Sequence, residues 1–193
     1  MITSSVLAIG SMASADDHDG VYDETEWTDC FNADFSALTR SKTMAERAAW
    51  EFAETETESG NYCPEIATIC PSWIFGEILA SGDATSNSLI RDMMTGAQPK
   101  LLTLSINMVD IKDVANAHYR ALTNPEAANQ RFILSREKHI WMRDISEQLV
   151  AGLAKEKRHG YPIPTVQTGY CSVRFAAMFS QEAADVLPLL NKT

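Results

Sequence analysis

With 193 residues, of which 45% are hydrophobic, the chain is long enough to form one domain with a substantial core, and we expect a single domain over residues 1–193. Its formal net charge of −10 argues against nucleic acid and anionic membrane surfaces as partners, because both would be repelled. No apolar stretch approaches the roughly 18 residues that a membrane-spanning helix needs. The composition therefore indicates a soluble protein.

The cysteines and the first residues bear on cellular location and metal binding. The cysteines form neither a CxxC pair nor a zinc-like spacing with histidine: they are Cys30, Cys63, Cys70 and Cys171. We therefore expect no metal site, and thiols in a reducing compartment. The segment 13–15 is similar to a signal-peptidase site, but a basic region is absent and the apolar run at 6–9 is short. A cytoplasmic location fits best.

Helix-like and strand-like patterns alternate along the chain, which is typical of an α/β protein. Residues 1–5 are expected to end a strand, and a loop rich in Asp, Glu and Ser runs to about residue 37. A helix is then predicted over 41–58, with Gly60 as its stop signal. Its apolar stripe consists of small and aromatic side chains: Ala45, Ala48, Ala49, Phe52 and Ala53.

The remaining elements follow the same alternation. Strands are predicted at 66–70, 101–105, 108–111 and 131–135, and helices at 88–94, 113–122, 140–155 and 176–190. Pro71 is expected to end the strand at 66–70 and Gly96 the helix at 88–94. His118 lies on the apolar side of its predicted helix, where a structural, hydrogen-bonded histidine is the favoured interpretation.

Five motifs occur in a fixed order across nearly the whole chain. They are Thr3-Ser4-Ser5, Tyr22-Asp23-Glu24 with Trp27, Ser41-Lys42-Thr43-Met44-Ala45-Glu46 with Ala48-Ala49-Trp50, Cys70-Pro71-Ser72-Trp73-Ile74-Phe75-Gly76, and Val109 to His118. Together they resemble the extended short-chain dehydrogenases/reductases of the epimerase/dehydratase type. The resemblance is greatest to the dihydroflavonol 4-reductase-like branch, which also holds cinnamoyl-CoA reductases and fungal carbonyl reductases.

The resemblance implies a fold. We expect a partial, Rossmann-like doubly wound sheet that lacks its N-terminal βαβ units, with a small C-terminal substrate-binding subdomain. About residues 1–75 would belong to the nucleotide-binding sheet, and about 76–193 would include the substrate side. No G-x-x-G-x-x-G turn for a pyrophosphate occurs among the nine glycines. The chain is therefore expected to correspond to the C-terminal portion of a longer reductase.

The resemblance also assigns catalytic roles. Ser5 would hydrogen-bond the substrate carbonyl, and Lys42 would bind the nicotinamide ribose and lower the pKa of a tyrosine one helical turn earlier. A spacing of four places both side chains on one helix face. The residue four before Lys42 is Leu38, which has no proton to donate. General acid catalysis typically contributes about 10²- to 10⁴-fold, so this substitution is expected to impair a reductase.

The cofactor implied by the resemblance is NADP or NAD. Lys42, Pro71 and Ile74 would contact its nicotinamide end, although a proline after a strand is also an ordinary stop signal. Because the chain offers only that end of the site, we expect it to bind a dinucleotide weakly or not at all. The stripe on the helix at 41–58 is either core packing or part of a homodimer interface.

Two classes of function stay open at this point. The first is an NAD(P)H-dependent reductase of a ketone or aldehyde on a small organic molecule. The second is a non-catalytic, reductase-like binding protein that has lost the acid and the cofactor cradle. An epimerase or dehydratase of nucleotide sugars shares the fold, but the Trp27 and Ala48-Ala49-Trp50 signatures favour the reductases.

Overall fold

The computed structural model describes residues 1–10, 21–32, 35–63, 65–79, 84–156 and 160–190. Its strands are β1 (Ile2–Thr3), β2 (Ala67–Pro71), β3 (Trp73–Phe75), β4 (Ser105–Ile106), β5 (Met108–Asp110), β6 (Gln130–Leu134) and β7 (Ile140–Trp141). Its helices are α1 (Ala37–Glu58), α2 (Thr85–Thr95), α3 (Ile111–Thr123), α4 (Met142–Lys155), α5 (Tyr170–Ala177) and α6 (Gln181–Val186). The alternation confirms the predicted α/β class.

The chain divides into two compact units. The first comprises residues 1–74 and 109–136, and the second comprises residues 75–108 and 137–193. The assignment of about 1–75 to the nucleotide side and about 76–193 to a region that includes the substrate side stays a prediction.

The first unit is built on a parallel sheet with strand order β1-β2-β6. Thr3 is level with Ile69, and Pro71 is level with Leu134, so the carboxyl ends of the three strands share one edge. Helix α1 connects β1 to β2, and α3 lies between β2 and β6 in sequence. Parallel neighbours require such crossover connections, and the result is the βαβ arrangement that the alternating pattern predicts.

Helix α1 begins earlier than its sequence pattern predicts. It starts at Ala37 instead of residue 41, because the Ser36 hydroxyl accepts a hydrogen bond from the Thr39 N–H at 3.2 Å and caps the helix. Its end agrees with the prediction, since Gly60 follows with φ of 73°, a left-handed conformation that glycine adopts without strain.

The predicted apolar stripe of α1 is not its buried face. Ala45 and Ala48 are exposed, and Phe52 is 62% exposed. The buried positions are Thr39, Thr43 and Glu46. Their spacing of three and four residues places them together on another side of the helix. Of the two alternatives for this stripe, core packing was wrong, because the buried face of α1 is held by polar contacts and the small alanine side chains tolerate exposure.

Other boundaries also differ from the predicted ones. Helix α2 begins at Thr85, three residues before the predicted start, and Ile140–Trp141 forms a strand instead of the first turn of α4. The predicted helix over 176–190 is divided into α5, α6 and a 3₁₀ turn at Leu187–Leu189. Ser180 caps α6 by accepting a hydrogen bond from the Ala183 N–H, which fixes a new helix start.

The second unit has its own apolar core. Met93 and Leu101 are fully buried and pack with Ile106, Met142 and Ile145. Strands β4 and β7 pair antiparallel beside them, with Ser105 level with Trp141. Within the described residues, no helix combines the length and apolarity that crossing a membrane requires.

Candidate functional site

Ser5 lies directly beyond the end of β1. The Ser4 N–H donates to the Ile69 carbonyl at 2.7 Å, which extends the parallel ladder by one residue and places Ser5 at the carboxyl edge of the sheet. The half-buried Ser5 hydroxyl caps the 3₁₀ turn at Val6–Ala8 by accepting the Leu7 N–H at 3.2 Å. That bond uses an oxygen lone pair, so the hydroxyl hydrogen can still be donated to a ligand.

Lys42 lies on the exposed side of α1. Leu38 is one helical turn earlier on the same face and is 57% exposed. The structure therefore brings the two side chains to the i, i+4 relation that the resemblance requires of a tyrosine and a lysine. Leu38 presents only carbon at that position, so it cannot act as the acid.

The segment after β2 carries the other predicted contacts. Pro71 is buried at the last position of β2, and Ile74 is half-buried in β3. Between them, the Ser72 N–H donates to the Leu134 carbonyl at 2.9 Å. The Ser72 side chain is buried, and its hydroxyl oxygen has no hydrogen-bond partner among the described residues. Ser5 and Pro71 thus share one sheet edge, and Ser72 joins them there.

Sequence reasoning missed a buried polar cluster beside this edge, which we call the Glu46 cluster: Glu46, Ser4, Thr68 and Arg131. Glu46 is 1% exposed. Its carboxylate accepts hydrogen bonds from the Ser4 hydroxyl at 2.5 Å and the Thr68 hydroxyl at 2.9 Å. The Arg131 Nε donates to the same carboxylate at 2.8 Å. The cluster ties α1 to all three strands of the parallel sheet.

Arg131 extends the cluster to the loop before α1. Its Nη1 donates to the carbonyls of Glu24 at 2.8 Å and Glu26 at 2.6 Å. Its guanidinium carbon lies 3.7 Å from the centroid of the Trp27 ring, a cation–π contact. The loop that carries the Tyr22-Asp23-Glu24 and Trp27 motif therefore has a structural role in this protein. Its Glu24 and Glu26 carbonyls and its Trp27 ring hold the Arg131 side chain in position.

The cluster holds Glu46 in its charged form. Burial alone would raise the pKa of this carboxyl, but hydrogen bonds from Arg131, Ser4 and Thr68, together with the arginine charge, keep the pKa below its ordinary value. The neighbouring Cys70 shows the opposite effect, because burial and the negative charge of Glu46 raise the pKa of its thiol to about 11. Cys70 is therefore a protonated, unreactive thiol at neutral pH.

His118 has a structural role, as its position on α3 suggests. Its Nδ1 lies 2.8 Å from the Val114 carbonyl, an acceptor, so Nδ1 carries the hydrogen. In the neutral ring, Nε2 then accepts from the Thr3 hydroxyl, 2.7 Å away. The hydrogen bond between His118 and Thr3 holds α3 against β1, and Thr3 lies two residues before Ser5. Within the part of the chain that the structure describes, no group of three His, Cys, Asp or Glu residues could hold a metal ion.

Comparison with curated proteins finds several reductases. The chain is 31% identical over 160 residues to the NADPH-dependent methylglyoxal reductase GRE2 of Saccharomyces cerevisiae, covering 77% of this chain and 46% of that protein. It is 34% identical over 144 residues to the cinnamoyl-CoA reductase CAD2 of Medicago truncatula, covering 72% of this chain and 41% of that protein. No family model matches the sequence.

Comparison with solved structures agrees. The crystal structure of the yeast methylglyoxal/isovaleraldehyde reductase Gre2 complexed with NADPH is similar with a TM-score of 0.70 and 28% identity. The match covers 87% of this chain and 51% of that one. The chain thus spans about half the length of the proteins that it matches, and over that span it shares their Rossmann-type α/β fold.

Proposed function

The chain belongs to the extended short-chain dehydrogenase/reductase family, and we propose that it acts as an NAD(P)H-dependent reductase of a ketone or aldehyde on a small organic molecule. The observation that carries the proposal is the β1–α1–β2 unit. Ser5 and Pro71 lie at one carboxyl edge of its parallel strands, and the helix between them carries Lys42. Ligands of open α/β sheets bind outside such edges.

Ser5 would orient the substrate. Its oxygen accepts the Leu7 N–H at 3.2 Å, which leaves the hydroxyl hydrogen to donate to a carbonyl oxygen. A fixed donor stabilises the negative charge that develops on that oxygen during reduction. The Glu46 cluster fixes the donor's position, because the neighbouring Ser4 hydroxyl is bound to Glu46 at 2.5 Å.

The residues at this edge fit the nicotinamide end of a dinucleotide. Pro71 offers an apolar surface, and exposed Lys42 offers donors for ribose hydroxyls. Ile74 would add apolar contact from β3. When bound, a reduced nicotinamide supplies the hydride for carbonyl reduction. The chain's own residues bind, orient and shield the reacting groups.

The matched relatives guide the test. Because one is named a methylglyoxal reductase and another a cinnamoyl-CoA reductase, small aldehydes and ketones are the first substrates to assay. We expect carbonyl-dependent oxidation of NADPH by the purified chain, at a rate lowered by about 10²- to 10⁴-fold because Leu38 cannot act as the general acid. Ser5→Ala should reduce the rate by roughly 10²- to 10³-fold, the cost of removing one oxyanion donor. Ser135→Ala is the matched control, since Ser135 is exposed and its hydroxyl donates to the Arg136 carbonyl. Equal rates for all three proteins would refute the role of Ser5.

A second candidate function is a non-catalytic binding protein of the same family. The observation in its favour is Leu38, which occupies the expected acid position with no proton to give. This alternative predicts weak NADPH binding or none, and no turnover, and it predicts that Leu38→Tyr alone restores no activity. NADPH oxidation by either the wild type or Leu38→Tyr would exclude it.

We also propose that two copies pair through the outer face of α1. Met44 and Phe52 are each more than half exposed on this helix, where a partner could cover them. Sedimentation analysis should show a dimer that Phe52→Glu converts to a monomer, and a monomeric wild type would contradict the proposal. A cytoplasmic location stays a prediction.

A further inference from the structure

Strand β6 forms one edge of the parallel sheet, whose strand order is β1-β2-β6. On its inner side it pairs with β2, and the Leu134 carbonyl accepts the Ser72 N–H at 2.9 Å. The backbone groups of successive residues point alternately to the two sides of a strand, so the Ile133 N–H points away from β2. An edge that presents such N–H and C=O groups is a template on which another chain can add a strand.

The composition of β6 favours strand addition. The segment 131–135 contains no proline, glycine or lysine, and Phe132 and Ile133 have high β propensity. The charge of Arg131 is neutralised by Glu46 at 2.8 Å. Short segments of this kind pair readily with copies of themselves when they form an edge. The opposite edge, β1, comprises only two residues and offers little to pair with. Of the two edges, β6 is therefore the one that requires protection.

A side chain of the same molecule occupies the outward donor of β6. The Ile133 N–H donates to the Glu24 Oε1 at 3.1 Å, although the two residues are 109 positions apart in sequence. A strand added to this edge would use the same N–H for one of its own carbonyls. The Glu24 carboxylate and an incoming strand therefore compete for one donor.

The loop before α1 fixes Glu24 at this edge. The Arg131 Nη1 donates to the Glu24 carbonyl at 2.8 Å, so the backbone of Glu24 is bound to the same strand whose N–H its side chain accepts. The Asp23 Oδ1 accepts the Thr25 N–H at 2.8 Å and the Thr25 hydroxyl at 2.5 Å, which forms a tight turn around Glu24. The carboxylate is thus held in position on both sides of its own backbone.

We propose that Glu24 is an autoinhibitory cap, which prevents β6 from adding a strand of a second copy of this chain. The inference goes beyond the proposed reductase function, since it concerns self-association and involves neither cofactor nor substrate. It also differs from pairing through the outer face of α1, because that contact would cover helix side chains and leave the β6 edge unchanged. Removing the cap exposes the Ile133 N–H, and the same edge of a second copy offers carbonyl groups to accept it.

The test compares wild type, Glu24→Ala, Glu24→Gln and Glu77→Ala by sedimentation velocity over a range of concentrations. Glu77 is exposed and lies in the other unit, so its replacement is a control for the lost charge. We expect Glu24→Ala to reach at least about twice the wild-type mass as the concentration rises, and Glu77→Ala to sediment as wild type. Glu24→Gln should also sediment as wild type, because its side-chain carbonyl can still accept the Ile133 N–H.

Hydrogen exchange at the Ile133 amide locates the contact. In dilute Glu24→Ala this amide should exchange about three- to tenfold faster than in wild type, the value of one lost hydrogen bond. Its exchange should slow again as the concentration rises, because the added strand then protects it. Amides of α1 should show no such dependence in this variant relative to wild type, which separates the β6 contact from pairing through α1.

Several results would overturn the proposal. One is a Glu24→Ala protein that sediments as wild type at every concentration. Another is association of Glu24→Gln or Glu77→Ala to the same extent as Glu24→Ala, because charge alone would then explain it. If circular dichroism shows that Glu24→Ala is unfolded at the assay temperature, Glu24 acts on the fold and the proposal is also overturned. The reductase function is judged separately, by NADPH oxidation.

Discussion

Replacing Arg131 by methionine is the most informative perturbation of the fold that positions the site. The side chain of Glu46 is completely buried, and that of Arg131 is 9% exposed, in an ion pair of 2.8 Å. Methionine keeps much of the arginine's volume and removes its charge. The substitution would therefore leave the Glu46 carboxylate buried without its cation.

The expected cost follows from the contacts that remain. Breaking one side of a buried ion pair typically costs about 3–5 kcal/mol. The Ser4 and Thr68 hydroxyls still donate to Glu46, which favours the lower half of that range. Loss of the Trp27 contact adds about 0.5–1 kcal/mol. We expect Arg131→Met to lower the free energy of unfolding by about 3–5 kcal/mol at pH 7.

The loss of stability in Arg131→Met should depend on pH. In the wild type the pKa of Glu46 lies below its ordinary value, so its contribution to stability is complete above that ordinary value and is lost as the pH falls through the folded pKa. In Arg131→Met, burial is no longer offset and raises the pKa of Glu46. Protonation then relieves the unpaired charge, so the cost of the variant should be larger at pH 7 than near pH 4–5.

Urea unfolding followed by tryptophan fluorescence measures these differences. The double variant Glu46→Gln with Arg131→Met should be more stable than Arg131→Met alone at pH 7, because a neutral amide costs less to bury than an unpaired carboxylate. A cost of about 1 kcal/mol or less, the size typical of exposed ion pairs, would refute the reasoning. A cost independent of pH would also refute it.

Three further outcomes are expected. Gly10→Ala should destabilise the protein by about 1–3 kcal/mol, because the new Cβ would lie 2.4 Å from a Tyr22 ring carbon. The control Gly152→Ala should not destabilise it, because its Cβ meets nothing within 4 Å, and equal thermal midpoints for the two variants would contradict the prediction. Iodoacetamide at pH 8 should alkylate exposed Cys171 well before Cys70, whose thiol pKa is raised to about 11, as mass spectrometry would show; faster reaction at Cys70 would contradict its burial. At fixed high salt, Lys42→Ala should weaken NADPH binding more than Lys138→Ala does, and an equal loss would exclude a specific ribose contact.

Much of the fold follows from patterns within short segments. The strands at 66–70 and 131–135 and the helix at 113–122 were each predicted within about two residues, since apolar periodicity and end signals such as Pro71 are local. Their parallel pairing follows from the alternation of strands with helices. The common edge of Ser5 and Pro71 is a consequence of that pairing, and it could be anticipated without coordinates.

The Glu46 cluster could not be predicted in this way. Glu46 and Arg131 are 85 positions apart in sequence. A charged residue is expected to be exposed unless a partner for its charge is known. The alanine-rich stripe of α1 was misassigned for the same reason, because small residues carry little information about burial and the buried face is defined by a distant arginine. The roles of Lys42 and Ile74 come from the resemblance and stay predictions.

The central claim is that the carboxyl edge of the β1-β2-β6 sheet binds the nicotinamide end of NADPH. Saturation-transfer NMR on the wild-type chain tests it directly, because each proton of the bound nucleotide reports its own proximity to the protein. The account predicts stronger saturation of the nicotinamide protons than of the adenine protons, and loss of that difference in Lys42→Ala. Stronger saturation at adenine, or none at all, would contradict it.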